Sequence, residues 1–151
     1  MSYARDVIAK IAGYVPGEQP GDKPFIKLNT NENPYPPPPV IGEILRNFPY
    51  ERLRLYSEPS ARMVREAASA VYGIAAEQIL CGNGSDDLLT IALRTFVDQG
   101  RALAYTEPSY SLYPVLADLQ GAIRRPIPLD EHFELPENAA ELAGDATLSG
   151  C

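Results

Sequence analysis

The sequence is poor in the residues that most enzymes use for metal, redox or acid–base work. Its 151 residues include one histidine, His132, and two cysteines, Cys81 and Cys151. The cysteines have no metal-type spacing, and a reduced, cytoplasmic protein is the expectation. His132 stands in Asp130-Glu131-His132-Phe133-Glu134 with no partner nearby, which reads as a solvated turn. No apolar stretch reaches about 18 residues, so no membrane span is expected. Met1-Ser2-Tyr3-Ala4-Arg5-Asp6 lacks the basic-then-apolar order of a signal peptide. There is no basic run, and a net charge of −7 with a pI near 4.7 argues against nucleic-acid or anionic-membrane partners. A Gly-x-Ser-x-Gly elbow, a carboxylate pair, a metal-ligand cluster and a nucleophile–base arrangement are all missing.

What is present is globular: 45% apolar and 22% charged residues, enough for one ordinary domain with a core. The first 39 residues read as an arm and proline-rich linker. A short amphipathic helix is expected around Arg5 to Ala12, then an extended run, Phe25-Ile26-Lys27-Leu28, and prolines at 34 and 36–39. Residues 40–151 have an alternating rhythm. Helices are predicted from Ile41 to Phe48, from a Ser60 cap through Tyr72, and from Asp86 to Asp98. Two more are expected from Ser109 or Ser111 to Leu119 and from Glu137 to Ala143. Strands are predicted at Gln78–Cys81 and Arg101–Tyr105, with a further extended piece from Ala122 to Pro128. Gly73, Gly100 and Gly121 are the stops. Strands alternating with helices point to an α/β domain with a mainly parallel sheet.

Three segments are candidate sites. Cys81-Gly82-Asn83-Gly84-Ser85-Asp86-Asp87 opens a strongly apolar helix. A glycine-rich turn into a helix leaves backbone N–H groups at the positive end of the helix dipole, where they can seat a phosphate. The plain alternative is a tight connection in which the glycines supply special backbone angles. Asp86 and Asp87 favour a helix start but repel an anion, so the seat requires both side chains to turn away. The glycine spacing fits neither a Walker loop nor a dinucleotide fingerprint. Glu107-Pro108-Ser109-Tyr110-Ser111-Leu112-Tyr113 follows the next strand, and in an open α/β sheet such a loop can share a crevice with the glycine turn. Tyr110 could stack on a flat ring there, or pack as an ordinary helix start. Leu55-Tyr56-Ser57-Glu58-Pro59 offers a phenolic donor ahead of a helix, or simply a surface tyrosine.

Taken in order and spacing, Lys27-Leu28-Asn29-Thr30-Asn31-Glu32-Asn33-Pro34-Tyr35, Tyr56-Ser57-Glu58-Pro59, Gly82 to Asp87 and Glu107 to Tyr113 resemble the N-terminal part of histidinol-phosphate aminotransferases. These are class I/II, fold-type I pyridoxal-phosphate enzymes, and the resemblance spans roughly residues 7 to 147. It implies an α/β fold, the N-terminal part of the large domain of that fold type, with residues 1–39 as an arm and 40–151 as an incomplete large domain. It implies pyridoxal 5'-phosphate (PLP) as cofactor, with its phosphate on the backbone of Gly84, Ser85 and Asp86 and its pyridine ring against Tyr110. Tyr56 would reach across a homodimer interface to the partner's phosphate. Tyr14 and Asn31 would contact the substrate, a phosphorylated amino alcohol or amino acid, and the arm would lie on the partner subunit. In the family, an amino group moves between histidinol phosphate and 2-oxoglutarate in histidine biosynthesis.

The sequence departs from the family after Asp145-Ala146-Thr147-Leu148, where Ser149-Gly150-Cys151 replaces an Asn-Pro-Asn continuation. The Schiff-base lysine, the aspartate for the pyridine nitrogen and the carboxylate-binding arginine all come later in the family. None of Lys10, Lys23 and Lys27 stands in that lysine's context, so no catalytic residue is assigned. The expectation is a truncated chain that is inactive alone. A threonine-phosphate decarboxylase-like or aromatic aminotransferase fragment, and a non-catalytic module for a phosphorylated ligand, are compatible with the same residues.

Overall fold

The computed structural model describes residues 3–11, 26–146 and 148–150. In chain order the elements are α1 (Asp6–Ala9), α2 (Pro39–Asn47), α3 (Arg62–Tyr72), α4 (Ser85–Phe96), β1 (Ala102–Glu107), α5 (Leu112–Gln120), β2 (Ile123–Pro128), α6 (Ala139–Ala143) and β3 (Leu148–Gly150). The chain divides into two compact units, Met1–Tyr14 with Leu80–Cys151, and Val15–Ile79.

The first unit carries the sheet. Its order is β2-β1-β3, with both neighbours parallel to β1. Four consecutive residues of β1, Ala102 to Tyr105, are buried, the pattern of a strand covered on both faces. Helices α4 and α5 flank β1 in the chain and supply the rest of the core. Leu93 and Val97 pack with Leu103, Tyr105, Leu112, Leu116 and Ala117. Pro114 is tolerated in α5 because it sits in the first turn, where its missing N–H has no intrahelical acceptor to lose. Gly121 ends α5 at φ 72°, a left-handed position that a side chain would strain. Beyond β2, Arg125 donates to Ala143 O and to Asp145 Oδ1 (2.9 Å). Arg101 reaches Asp145 O at 2.9 Å, so two arginines fix the approach to β3. This pairing holds the Asp145 carboxyl below its usual range, through the Arg125 hydrogen bond first.

The second unit is helical among its described residues. Pro39 occupies the first position of α2, where its fixed φ suits a helix, so the helix starts ahead of the expected Ile41. It stops at Phe48, which precedes Pro49 and is extended. Helix α3 closes at Gly73 (φ 69°), as its sequence predicts, and carries the expected Arg62–Glu66 pair at 3.1 Å. Its start is different from the expectation. Ser60 does not cap it; the Glu58 carboxylate accepts from Arg62 N at 2.7 Å, Ser60 N at 3.1 Å and Ser60 Oγ at 2.6 Å. A carboxylate two residues farther back reaches the open N–H groups better than the hydroxyl.

Three other expectations shift. Gln78–Cys81 is not a strand: Ala76–Gln78 forms a single 3-10 turn, and Ile79 is extended but has no strand partner among the described residues. Leu80 is 62% exposed, because an apolar segment buries only when a neighbour covers it. The first helix is shorter than Arg5 to Ala12, and residue 12 lies outside the described set. Residues 26–28 are irregular. Among the described residues, no helix is long and apolar enough to cross a membrane.

Candidate functional site

The phosphate-seat turn is built by two glycines with different tasks. At Gly82, a Cβ would come within 2.9 Å of both Asp87 Oδ2 and Leu88 Cδ2, so a larger residue would displace those side chains. At Gly84, φ is 84° and ψ 175°, a region that essentially only glycine occupies. No heavy atom lies within 4 Å of a Cβ built there, so the space on that side of the backbone is open. Helix α4 begins at the next residue. The amides of Ser85, Asp86 and Asp87 belong to its first turn and have no intrahelical acceptor. They can therefore take an anion, and the residues fit a phosphate group.

Both acidic side chains in that turn are engaged. Asp87 turns back, and its Oδ2 accepts from Asn83 N at 3.0 Å. Asp86 Oδ1 accepts from the Tyr110 hydroxyl at 3.0 Å, with Ser85 Oγ at 3.5 Å. The structure thus brings together four of the sequence-predicted residues, Gly84, Ser85, Asp86 and Tyr110, in one unit.

Tyr110 follows β1 on the loop that leads into α5, beyond the carboxyl end of the central strand. It meets Tyr113 edge-on, with centroids 6.1 Å apart and planes at 85°. Tyr113 in turn lies against the Tyr105 ring at 6.0 Å and 22°. Burial raises the Tyr105 phenol above its ordinary range, which keeps it neutral. Thr106, Glu107, Pro108, Ser109, Tyr110 and Pro114 line a hollow of about 300 Å³ at this end of the sheet.

The remaining predicted residues stand apart from this unit. Tyr56 follows a 3-10 turn (Tyr50–Arg54) in the second unit and is fully exposed. Asn31 sits in a loop closed by the Lys27–Glu32 ion pair, which also lowers the Glu32 carboxyl. Its φ is 50°, and that of Thr30 is 63°. Asparagine tolerates this left-handed region, whereas β-branched Thr30 is strained in it. Tyr14 lies outside the described residues. His132 is in a turn as predicted, organised by Asp130 Oδ1, which accepts from the backbone N–H groups of His132 (2.8 Å) and Glu134 (2.9 Å). Sequence reasoning missed the organising roles of Glu58, Asp86 and Asp87. The Glu58 and Asp87 contacts are local, each spanning four residues at a helix start, and could have been read; the Asp86 contact could not.

Comparison with known proteins gives this arrangement a context. The family described as aminotransferase class I and II matches residues 23–143. The histidinol-phosphate aminotransferase of Crocosphaera subtropica is 50% identical over 133 residues, covering 87% of this chain and 37% of that protein. The protein of the same name from Rhodopirellula baltica is 43% identical over 145 residues, covering 95% and 40%. Among solved structures, apo-BacF from Bacillus subtilis aligns with a TM-score of 0.73 at 20% identity, over 99% of this chain and 41% of that one. Histidinol-phosphate aminotransferase from Sinorhizobium meliloti, in complex with pyridoxal-5'-phosphate, aligns at 0.62 and 20% identity, over 68% and 28%. The chain thus spans about two fifths of the length of the curated relatives it matches.

Proposed function

The chain belongs to the aminotransferase class I and II family, and on that premise we propose that it supplies the cofactor-phosphate seat of a PLP-dependent histidinol-phosphate aminotransferase. Its fold is the N-terminal part of the fold-type I architecture. The observation that carries the proposal is the 3.0 Å bond from Tyr110 to Asp86, which brings a flat aromatic ring to the open N-terminus of α4. A ligand with a phosphate and an adjoining aromatic ring matches that pairing. The named relatives, at 43–50% identity, support amino transfer involving histidinol phosphate as the reaction of the whole enzyme.

In this reading each residue has a distinct task. The amides of Gly84, Ser85 and Asp86 bind the phosphate, where the helix dipole and unpaired N–H groups favour negative charge. Tyr110 orients the pyridine ring and excludes water from one face. Tyr56, fully exposed on its own protomer, donates its hydroxyl to the phosphate of a second copy in a homodimer. Asn31 and Tyr14 contact the substrate. When bound, PLP supplies the electron sink that lets an amino group move between carbon skeletons.

The chain itself provides the test. Equilibrium dialysis should show saturable binding of PLP and of pyridoxine 5'-phosphate, displaced by inorganic phosphate. Borohydride should trap no cofactor on Lys10, Lys23 or Lys27. Absence of saturable binding at millimolar ligand would remove the cofactor assignment, and a trapped lysine would overturn the reading of those three side chains.

A further inference from the structure

We propose that the Asp86 carboxylate is a positioning group for Tyr110, so that one residue fixes both the phosphate end and the ring end of the cofactor site. The inference rests on the PLP reading above and deepens it, giving the Asp86 side chain a task separate from that of its amide. An aspartate in the first turn of a helix ordinarily serves the dipole or caps open amides. Neither acid of this turn caps the helix: Asp87 Oδ2 accepts from Asn83 N at 3.0 Å, ahead of the helix, and braces the turn. Asp86 instead reaches a residue 24 positions later, accepting the Tyr110 hydroxyl at 3.0 Å.

Tyr110 is thereby held at two points. Its hydroxyl is anchored on α4, and its ring meets Tyr113 edge-on, backed by Tyr105 on the buried central strand. These two contacts restrain the side chain, yet the residue stays 38% exposed. A ring restrained this way has less freedom left to lose when a ligand binds. Because the Asp86 amide belongs to the phosphate seat while its carboxylate holds the ring, the distance between the two is set within one residue.

The arrangement has an electrostatic signature that a merely structural role does not share. A carboxylate beside an anion seat opposes phosphate binding. Removing it should leave inorganic phosphate affinity unchanged or tighter, while it loosens the ring and weakens a ligand that needs both ends. The test measures dissociation constants of pyridoxine 5'-phosphate and inorganic phosphate for the whole chain and for Asp86→Ala, Asp86→Asn, Tyr110→Phe and the Asp86→Ala/Tyr110→Phe pair. The preference for pyridoxine 5'-phosphate over inorganic phosphate should fall about three- to tenfold in Asp86→Ala, the loss of one hydrogen bond. Asp86→Asn keeps a neutral acceptor and should recover most of the preference. Tyr110→Phe should lose as much as Asp86→Ala, and the double variant no more than either.

An unchanged preference in Asp86→Ala, or additive losses in the double variant, overturns the inference. Equal weakening of both ligands assigns Asp86 to the helix start and overturns it too. If the unaltered chain binds inorganic phosphate with no preference for pyridoxine 5'-phosphate, the cofactor reading itself fails, and the inference with it.

Discussion

Gly84→Ala isolates the backbone demand of the phosphate turn. The position has φ 84° and ψ 175°, and a Cβ there meets no heavy atom within 4 Å. The substitution therefore has no steric cost against neighbours, only the conformational cost of placing an L-residue in a region reserved for glycine, about 1–3 kcal/mol. Alanine also restricts the unfolded chain, which offsets about 0.4–1 kcal/mol. The net loss is roughly 0–2.6 kcal/mol, or up to about eightyfold in the unfolding equilibrium. Urea denaturation followed by far-UV circular dichroism measures it, and inorganic phosphate affinity should fall alongside as the Ser85 amide is turned from its direction. Gly42→Ala is the control of opposite sign. Gly42 lies inside α2, and its Cβ would meet only the flexible end of Arg46 at 3.3 Å, so alanine should raise helicity by about 0.5–1 kcal/mol. A Gly84→Ala chain as stable as the unaltered one, with phosphate affinity intact, would refute the claim that this turn depends on its backbone angle.

Leu93→Ala removes a side chain that is 2% exposed and packed among Val97, Leu103 and Leu116, and should cost about 2–5 kcal/mol in urea unfolding; a loss below about 1 kcal/mol would deny that α4 and β1 share one core. The Ser60 hydroxyl and the Arg62 amide hold the Glu58 carboxyl below its usual range. A depressed folded value means that the stabilisation is complete above the ordinary glutamate range, about pH 4.3, and is lost as pH falls through the lower folded value. Helical dichroism should show this acid loss in the unaltered chain and not in Glu58→Gln; identical acid profiles would show that α3 does not depend on this carboxylate.

Elements specified by short-range chemistry were readable from the sequence. Gly73 and Gly121 mark the ends of α3 and α5 because only a residue at ease in the left-handed region can close a helix that way. Four consecutive apolar residues mark β1 as the central strand. Gln78 to Cys81 has the same apolar look and is not paired, because a strand is defined by its ladder and the ladder partner is a long-range matter. The start of α3 was misread for a related reason. Ser60 and Glu58 are both competent acceptors, and only the path of the chain decides which one reaches Arg62 N. At the site, the glycine turn leading into an apolar helix was readable from the sequence. The partner of Asp86 was not, since the Asp86–Tyr110 bond joins residues 24 positions apart.

Burial is divided unevenly between the two units, and this bears on the function. Every buried apolar residue lies in the unit that carries the sheet, and the described residues of the other unit, 26–79, include none. There Val40, Ile44 and Leu45 of α2 and Met63, Val64 and Val71 of α3 are more than half exposed. Helices of 9 and 11 residues are marginal in water on propensity alone and normally depend on packing of an apolar face. What holds α3 here is local: the Glu58 cap, the Arg62–Glu66 pair, the Gly73 stop and the Arg65 guanidinium on Ala76 O at 2.9 Å. Such contacts shape a helix without covering its apolar side. The phosphate seat and its tyrosine are in the well-packed unit, whereas Tyr56 and Asn31 are in the uncovered one. The glycine turn and Tyr110 therefore rest on the packed core of their own unit, and a variant that loosens that core, such as Leu93→Ala, should disturb them before it disturbs the local contacts around Glu58.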